Sequence, residues 1–237
     1  MAIRRVISVI LVWLPAAFVA GSLLAVLLMR QGPVRCTPLM LLRRIEAGAG
    51  SGEGFVRGFR NAAPEREWVP LTAISGSMVS AAMAAEDSRF PSHCGFDLNE
   101  MEDMWIHHKE GGSPLRGCST ISQQTARNCF TFCTPTLTRK VVEAWFTVLI
   151  ERIWGKRRIM EVYLNVAETG PGIYGVQAAA RRYYGVSASD LALSDASALA
   201  CCLPDPLHRT PYSVRREMPS HMRTVACRAA EFHNGLE

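Results

Sequence analysis

Between Val6 and Met29 the chain runs for 24 residues without a formal charge. Built as a helix, that run reaches roughly 36 Å, more than the ~30 Å hydrocarbon core of a bilayer. A segment of this kind either spans a membrane or is removed as a signal peptide. Phe18-Val19-Ala20 resembles a weak cleavage site, but the apolar run is much longer than the roughly 7–15 residues usual in a signal peptide. It therefore reads as a retained anchor, and Pro15 does not oppose this, because membrane helices tolerate proline. Arg4 and Arg5 precede the run, so the positive-inside rule puts the N-terminus in the cytoplasm and everything after Arg30 outside.

The net charge of +5 is unevenly spread over the 237 residues. Residues 31–115 carry 8 basic and 11 acidic side chains, whereas residues 116–158 carry 8 basic and 2 acidic. A basic zone between mildly acidic flanks points to a localised anionic ligand and away from nucleic acid bound along a whole face; a solvated helix face is the plainer alternative. The 8 cysteines would lie in an oxidising compartment, where an even count permits disulfides without specifying them. None has a zinc-like spacing. Cys201 and Cys202 lie in an apolar run and read as buried thiols.

Residues 31–70 read as a stalk, glycine-rich around 48–54 (Gly48, Gly50, Gly52, Gly54) and weakly periodic. From about Leu71 the pattern is helical. Ile74–Glu86 is small and apolar, as a tightly packed core helix would be. Residues 98–108 suggest a short amphipathic helix before the Gly111-Gly112-Ser113-Pro114 turn. From Thr138 to Trp154 the positions Val142, Trp145, Phe146, Leu149 and Ile153 have the spacing of a buried stripe, with Arg139, Lys140, Glu143 and Thr147 on a neighbouring polar face. Gly155 ends that helix; others are expected at 156–167, 175–184, 194–203 and 219–233. No stretch alternates with period two, so the fold is expected to be mainly α.

Three segments carry chemistry. Ala85 to Asp97 packs Glu86, Asp87, Arg89, His93 and Asp97 around Gly95, and a carboxylate just after an apolar helix is placed for desolvation and proton transfer; a surface cap would look the same. Arg116 to Asn128 begins with glycine and hydroxyls at a helix start and has a cation within a turn or two, which suits an oxygen-rich anion as well as an ordinary N-cap. Arg139, Lys140 and Glu143 share one helix face and would also pass for a surface ion pair.

In this order the segments resemble the peptidoglycan glycosyltransferase family, specifically the monofunctional biosynthetic transglycosylases. A first motif, EDxxFxxHxGFD, matches Glu86-Asp87, Phe90, His93 and Gly95-Phe96-Asp97. A second, rich in hydroxyls and amides, matches Gly117, Ser119-Thr120-Ile121, Gln123-Gln124 and Asn128. The third is Arg139-Lys140 with Glu143. A fourth fits Lys156, Ile159 and Tyr163-Leu164-Asn165, and a fifth fits Gly172, Gly175, Ala179-Ala180 and Tyr183. Cys118 stands where the family has Gly or Ala, and Arg127 replaces its usual Lys, a change that keeps the charge but not the geometry.

The resemblance implies a lysozyme-like glycosyltransferase domain with a small membrane-facing lobe around residues 98–115, and Trp105 and Ile106 as interfacial contacts. The division is then 1–30 as cytoplasmic tip and anchor, 31–70 as stalk and 71–237 as the transferase domain, in the inner (cytoplasmic) membrane with the domain periplasmic. The implied activity joins lipid II to a growing glycan chain with inversion, releasing undecaprenyl pyrophosphate. Glu86 would be the base and Glu143 a second catalytic glutamate. Ser119, Thr120, Gln123, Gln124, Arg127, Arg139 and Lys140 would bind substrate, with Asp87, Phe90, His93, Gly95, Asp97 and Asn128 in support. Glu143 would orient the cations or hold a divalent cation (Mg or Mn), which the family often uses. Partners in the cell-division or elongation machinery are also implied. Without Ser-x-x-Lys or Lys-Thr-Gly, no transpeptidase is expected. A lytic enzyme is the rival for a helical domain with one dominant Glu, but cleaving a sugar–sugar bond needs no cation cluster. A cell-wall scaffold is the non-enzymatic rival.

Overall fold

The computed structural model describes residues 9–50, 57, 59–60, 63–109, 119–132 and 136–232. Arg4 and Arg5, the Gly111–Pro114 turn, Gly117, Cys118 and Cys133 lie outside the described residues.

A π-helical turn, Val9–Trp13, leads into α1, Leu14–Leu28. The stretch Leu11–Leu28 is long and apolar enough to cross a membrane, with a mean hydropathy of 2.3. Most of its large side chains are exposed; Ser22 and Val26 are buried. The stalk reading of residues 31–70 needs correction. Thr37 accepts the Met40 N–H as an N-cap and Pro38 occupies the first turn, so Pro38–Ala49 forms a helix, α2, with Leu39 and Met40 buried. The glycine-rich sequence that follows hid a short amphipathic helix.

Beyond it come β1 (Glu65–Arg66), α3 (Gly76–Glu86), α4 (Leu98–Lys109), α5 (Ile121–Phe130), α6 (Leu137–Ile153) and α7 (Gly155–Val166). Strands β2 (Glu168–Gly170) and β3 (Ile173–Tyr174) follow, then α8 (Val176–Tyr184), α9 (Leu193–Ala200), α10 (Pro211–Glu217) and α11 (Pro219–Glu231). The strands form one small sheet in the order β1-β3-β2, with β1 parallel and β2 antiparallel to β3. At two or three residues each, they are too short for alternation to reveal them. The expected helices all form, within a few residues at each end.

The core has two packing groups. In one, α3 lies against α9 and α11; in the other, α5 lies against α6 and α7. Met78 and Ala81–Ala84 of α3 are buried, as expected of a helix apolar all round. Cys201 and Cys202 are buried too, and burial pushes their thiols up to about 11 and about 12, so they act as small hydrophobes. The described cysteines form no disulfide.

Helix α6 departs from its expected orientation. Of the stripe read as buried, only Phe146 is; Val142, Trp145, Leu149 and Ile153 are half-buried. The buried row is instead Glu143, Phe146, Thr147, Ile150 and Trp154, rotated towards the polar face. Trp145 of the apolar stripe and Trp154 just beyond it meet α1: the Trp145 indole donates to Ser22 Oγ at 2.9 Å, and Trp154 donates to the Val26 carbonyl at 2.8 Å. Hydropathy gave the wrong face because the polar one is turned inwards to build the site.

At Gly175 backbone and packing both exclude a side chain. Gly175, which precedes α8, has φ +81°, and a Cβ there would lie 2.7 Å from the Asn165 carbonyl oxygen. Gly175→Ala is expected to cost about 3 kcal/mol, since both strain and a backbone clash must be relieved. Gly76, by contrast, has open space around its Cβ position, and Gly76→Ala at the start of α3 should be neutral or stabilising. Chemical denaturation of both variants checks this; equal midpoints would refute the steric account.

Candidate active site

Helix α3 delivers two adjacent carboxylates at its C-terminal end. The backbone leaves helical geometry at Asp87, whose buried carboxylate accepts the Ile121 N–H at 2.9 Å and so sits at the N-terminus of α5. His93 Nε2 lies 3.0 Å from both Asp87 oxygens, and the Gly95 N–H donates to His93 Nδ1 at 3.0 Å. A backbone N–H can only donate, so Nδ1 accepts and the ring proton sits on Nε2, towards Asp87. Arg89 Nε donates to Asp97 at 2.8 Å, and Asp97 also accepts the Glu100 N–H at 3.0 Å. The Arg89 hydrogen bond and that backbone donor hold Asp97 below the usual carboxylate range even though burial, the largest single influence, pushes the other way. Asp87, His93, Gly95 and Asp97 thus hold the loop together. Phe90 is fully buried beneath Lys156 Nζ, 4.4 Å from its ring centroid.

Glu86 is held differently. Its Oε2 accepts Gln124 Nε2 at 2.6 Å, while its Oε1 is buried with no hydrogen-bond partner among the described residues. Burial raises its pKa, opposed by the Gln124 hydrogen bond and by the charge of Arg127. A desolvated carboxylate with a raised pKa has the character a general base needs. For such a base, activity falls as pH drops through the raised pKa, so the acid limb of the rate profile should lie above the ordinary Glu value of about 4.3. Gln124→Leu removes the strongest influence opposing burial and should move that limb to higher pH. An acid limb unchanged in this variant would detach Gln124 from the base.

Gln124 also links the base to the cations. The same Nε2 donates to the Ser119 carbonyl at 3.2 Å, and Tyr163 OH donates to Gln124 Oε1 at 3.4 Å. Lys140 Nζ reaches Ser119 Oγ at 3.4 Å and Glu143 Oε1 at 2.8 Å, and Arg139 Nη1 donates to Glu143 Oε2. A chain of contacts therefore joins Glu86 to Glu143 through Gln124, Ser119 and Lys140. Gln124, Arg127, Asn128 and Arg139 line a cavity of about 240 Å³, closed on other sides by Arg43 and Glu168. Arg127 forms no ion pair among the described residues and lines the cavity, its charge acting on Glu86 through space.

Two expectations change. Thr120 was expected to bind substrate, but its hydroxyl donates to the Gly95 carbonyl at 2.7 Å and accepts the Gln123 N–H at 3.2 Å. Gln123 Oε1 completes this capping box by accepting the Thr120 N–H at 3.0 Å, leaving only its Nε2 for a ligand. Nor does Glu143 fit a metal ion. It is 1% exposed, each carboxylate oxygen already accepts from a cation, and no group of three or more His, Cys, Asp or Glu among the described residues could hold a metal. Reading the sequence also missed Arg43 and Glu168. Glu168 follows Tyr163-Leu164-Asn165 closely enough to have been noticed; Arg43, from the supposed stalk, left no such signal.

A desolvated carboxylate joined through Gln124 to a cation-lined cavity suits a group-transfer enzyme acting on a substrate with an anionic part. Comparison with known proteins makes this specific. The family model described as Transglycosylase matches residues 53–230. The biosynthetic peptidoglycan transglycosylase of Caulobacter vibrioides is 44% identical over 205 residues, covering 86% of this chain and 83% of the relative. The protein of the same name from Chromohalobacter salexigens is 46% identical over 192 residues, 80% and 77% of the two chains. The chain belongs to the transglycosylase family.

Proposed function

We propose that this transglycosylase polymerises lipid II into the glycan strands of the bacterial cell wall. The names borne by its relatives support this substrate, and so does the pairing of a base with an anion site. The observation that carries the reading is the desolvated Glu86 carboxylate, joined through Gln124 to a cavity lined by Arg127, which forms no ion pair among the described residues. Oε1 takes the proton from the acceptor sugar's 4-hydroxyl. The freed oxygen electron pair forms the new bond to the anomeric carbon of the growing chain, on the face opposite its diphosphate. The bond to the diphosphate breaks, its electron pair leaves with that oxygen, and the developing charge falls to Arg127, with Arg139 and Lys140 behind it. Glu86 then returns its proton to water. No step requires a metal held by Glu143.

The substrate's lipid tail stays in the bilayer, which suits a domain tied by α1 to the inner membrane and facing the periplasm. The exposed Leu98, Met101, Trp105 and Ile106 of α4 would meet the same surface. Partners among the division or elongation machinery belong to this proposal. The test is to incubate the purified full chain with labelled lipid II and resolve the products on a gel. A polymer ladder is expected. Absence of polymer would defeat the reading, and shortening of preformed glycan would favour the lytic alternative.

A further inference from the structure

Helix α2 lies outside the matched family region, yet it supplies a wall of the anion cavity. Arg43 projects from it. Its Nε donates to Glu168 Oε2 at 3.4 Å and its Nη1 to Glu46 Oε2 at 3.0 Å. Nη2 has no protein acceptor among the described residues. Two carboxylates thus fix the guanidinium and leave one edge of it open, and Glu168, which faces the same cavity, is buried. An arginine already oriented loses little side-chain freedom when it binds an anion, and its fork suits phosphate oxygens. Across the cavity stands Arg127, which forms no ion pair among the described residues.

We propose that Arg43 is a second arm of the anion site, its Nη2 edge taking a phosphate oxygen of the lipid-linked diphosphate opposite Arg127. This rests on the proposed function above and adds to it a residue from the segment between anchor and domain. That segment therefore forms part of the donor site and is more than a tether.

The test compares the full wild-type chain with the double variant Arg43→Gln, Glu168→Gln in nanodiscs, measuring affinity for undecaprenyl diphosphate and for uncharged undecaprenol. The double variant removes one charge of each sign, so the net charge of the cavity is unchanged. It should bind the diphosphate about tenfold more weakly, as expected for losing a charge-assisted hydrogen bond, and undecaprenol equally well. Equal diphosphate affinity would overturn the proposal. If the wild type itself binds the diphosphate no better than undecaprenol, the donor-site reading falls and takes this proposal with it. Neutral phosphatidylcholine discs are run beside discs containing phosphatidylglycerol; a deficit confined to the latter would assign Arg43 to bilayer headgroups and overturn the proposal. Should the double variant unfold, Arg43→Lys keeps the charge without the fork. It should weaken diphosphate binding by several-fold, and unchanged binding would reject the role.

Discussion

Glu86→Gln is expected to reduce glycan polymerisation by about 10³-fold, within the range that a positioned general base contributes. Glutamine nearly reproduces the shape and can keep a hydrogen bond with Gln124, but it cannot accept the acceptor's proton. The same variant should be more stable than the wild type at neutral pH. Burial raises the folded-state pKa of Glu86 above its unfolded value. A group shifted in that direction contributes stability below its unfolded pKa and loses it as pH rises through the folded one. The stability gap between variant and wild type should therefore open with increasing pH and close in acid. Lipid II turnover and melting curves across pH check both parts. Turnover within tenfold of wild type would remove Glu86 from its role, and a variant less stable than wild type at every pH would contradict its desolvation.

A second glutamate of the site, Glu143, should behave in the opposite way. Glu143 is 1% exposed and receives both Arg139 and Lys140. Glu143→Ala removes the carboxylate that the two like charges share. Breaking a buried pair costs about 3–5 kcal/mol, and the lower end applies because Lys140 is 46% exposed and can turn to water. Polymerisation should also fall, by about 100-fold, because the cations lose the geometry in which they meet the leaving diphosphate. One glutamate is thus held at a cost in stability for its chemistry; the other stabilises the fold while orienting charge. Denaturant titration and turnover assays separate the two. Chelation of divalent cations should leave the wild-type melting midpoint unchanged, and a lowered midpoint would reinstate Glu143 as a metal ligand.

The chemistry was more legible in the sequence than the packing around it. Glu86 stands out because a charged residue closes an otherwise apolar helix, whereas the hydrogen bonds that hold the loop from Asp87 to Asp97 together are visible only in the structure. Arg139, Lys140 and Glu143 could be joined because a helix brings positions three and four apart together. Thr120 misled because a hydroxyl at a helix start serves a ligand or a capping box equally well.

Local rules of spacing, capping and hydrophobic run length depend on neighbours along the chain, so the amino-acid sequence by itself determined the membrane-length helix, the order of the helices and the cation–glutamate face of α6. Which face of α6 points inwards, how Arg43 comes to stand across a cavity from Arg127, and why one oxygen of Glu86 is left without a partner were decided only by tertiary structure. Those outcomes depend on residues from separate helices, as distant in the chain as Arg43 and Arg127, being packed into one site, where burial and charge act through space, and periodicity along the chain carries no record of that.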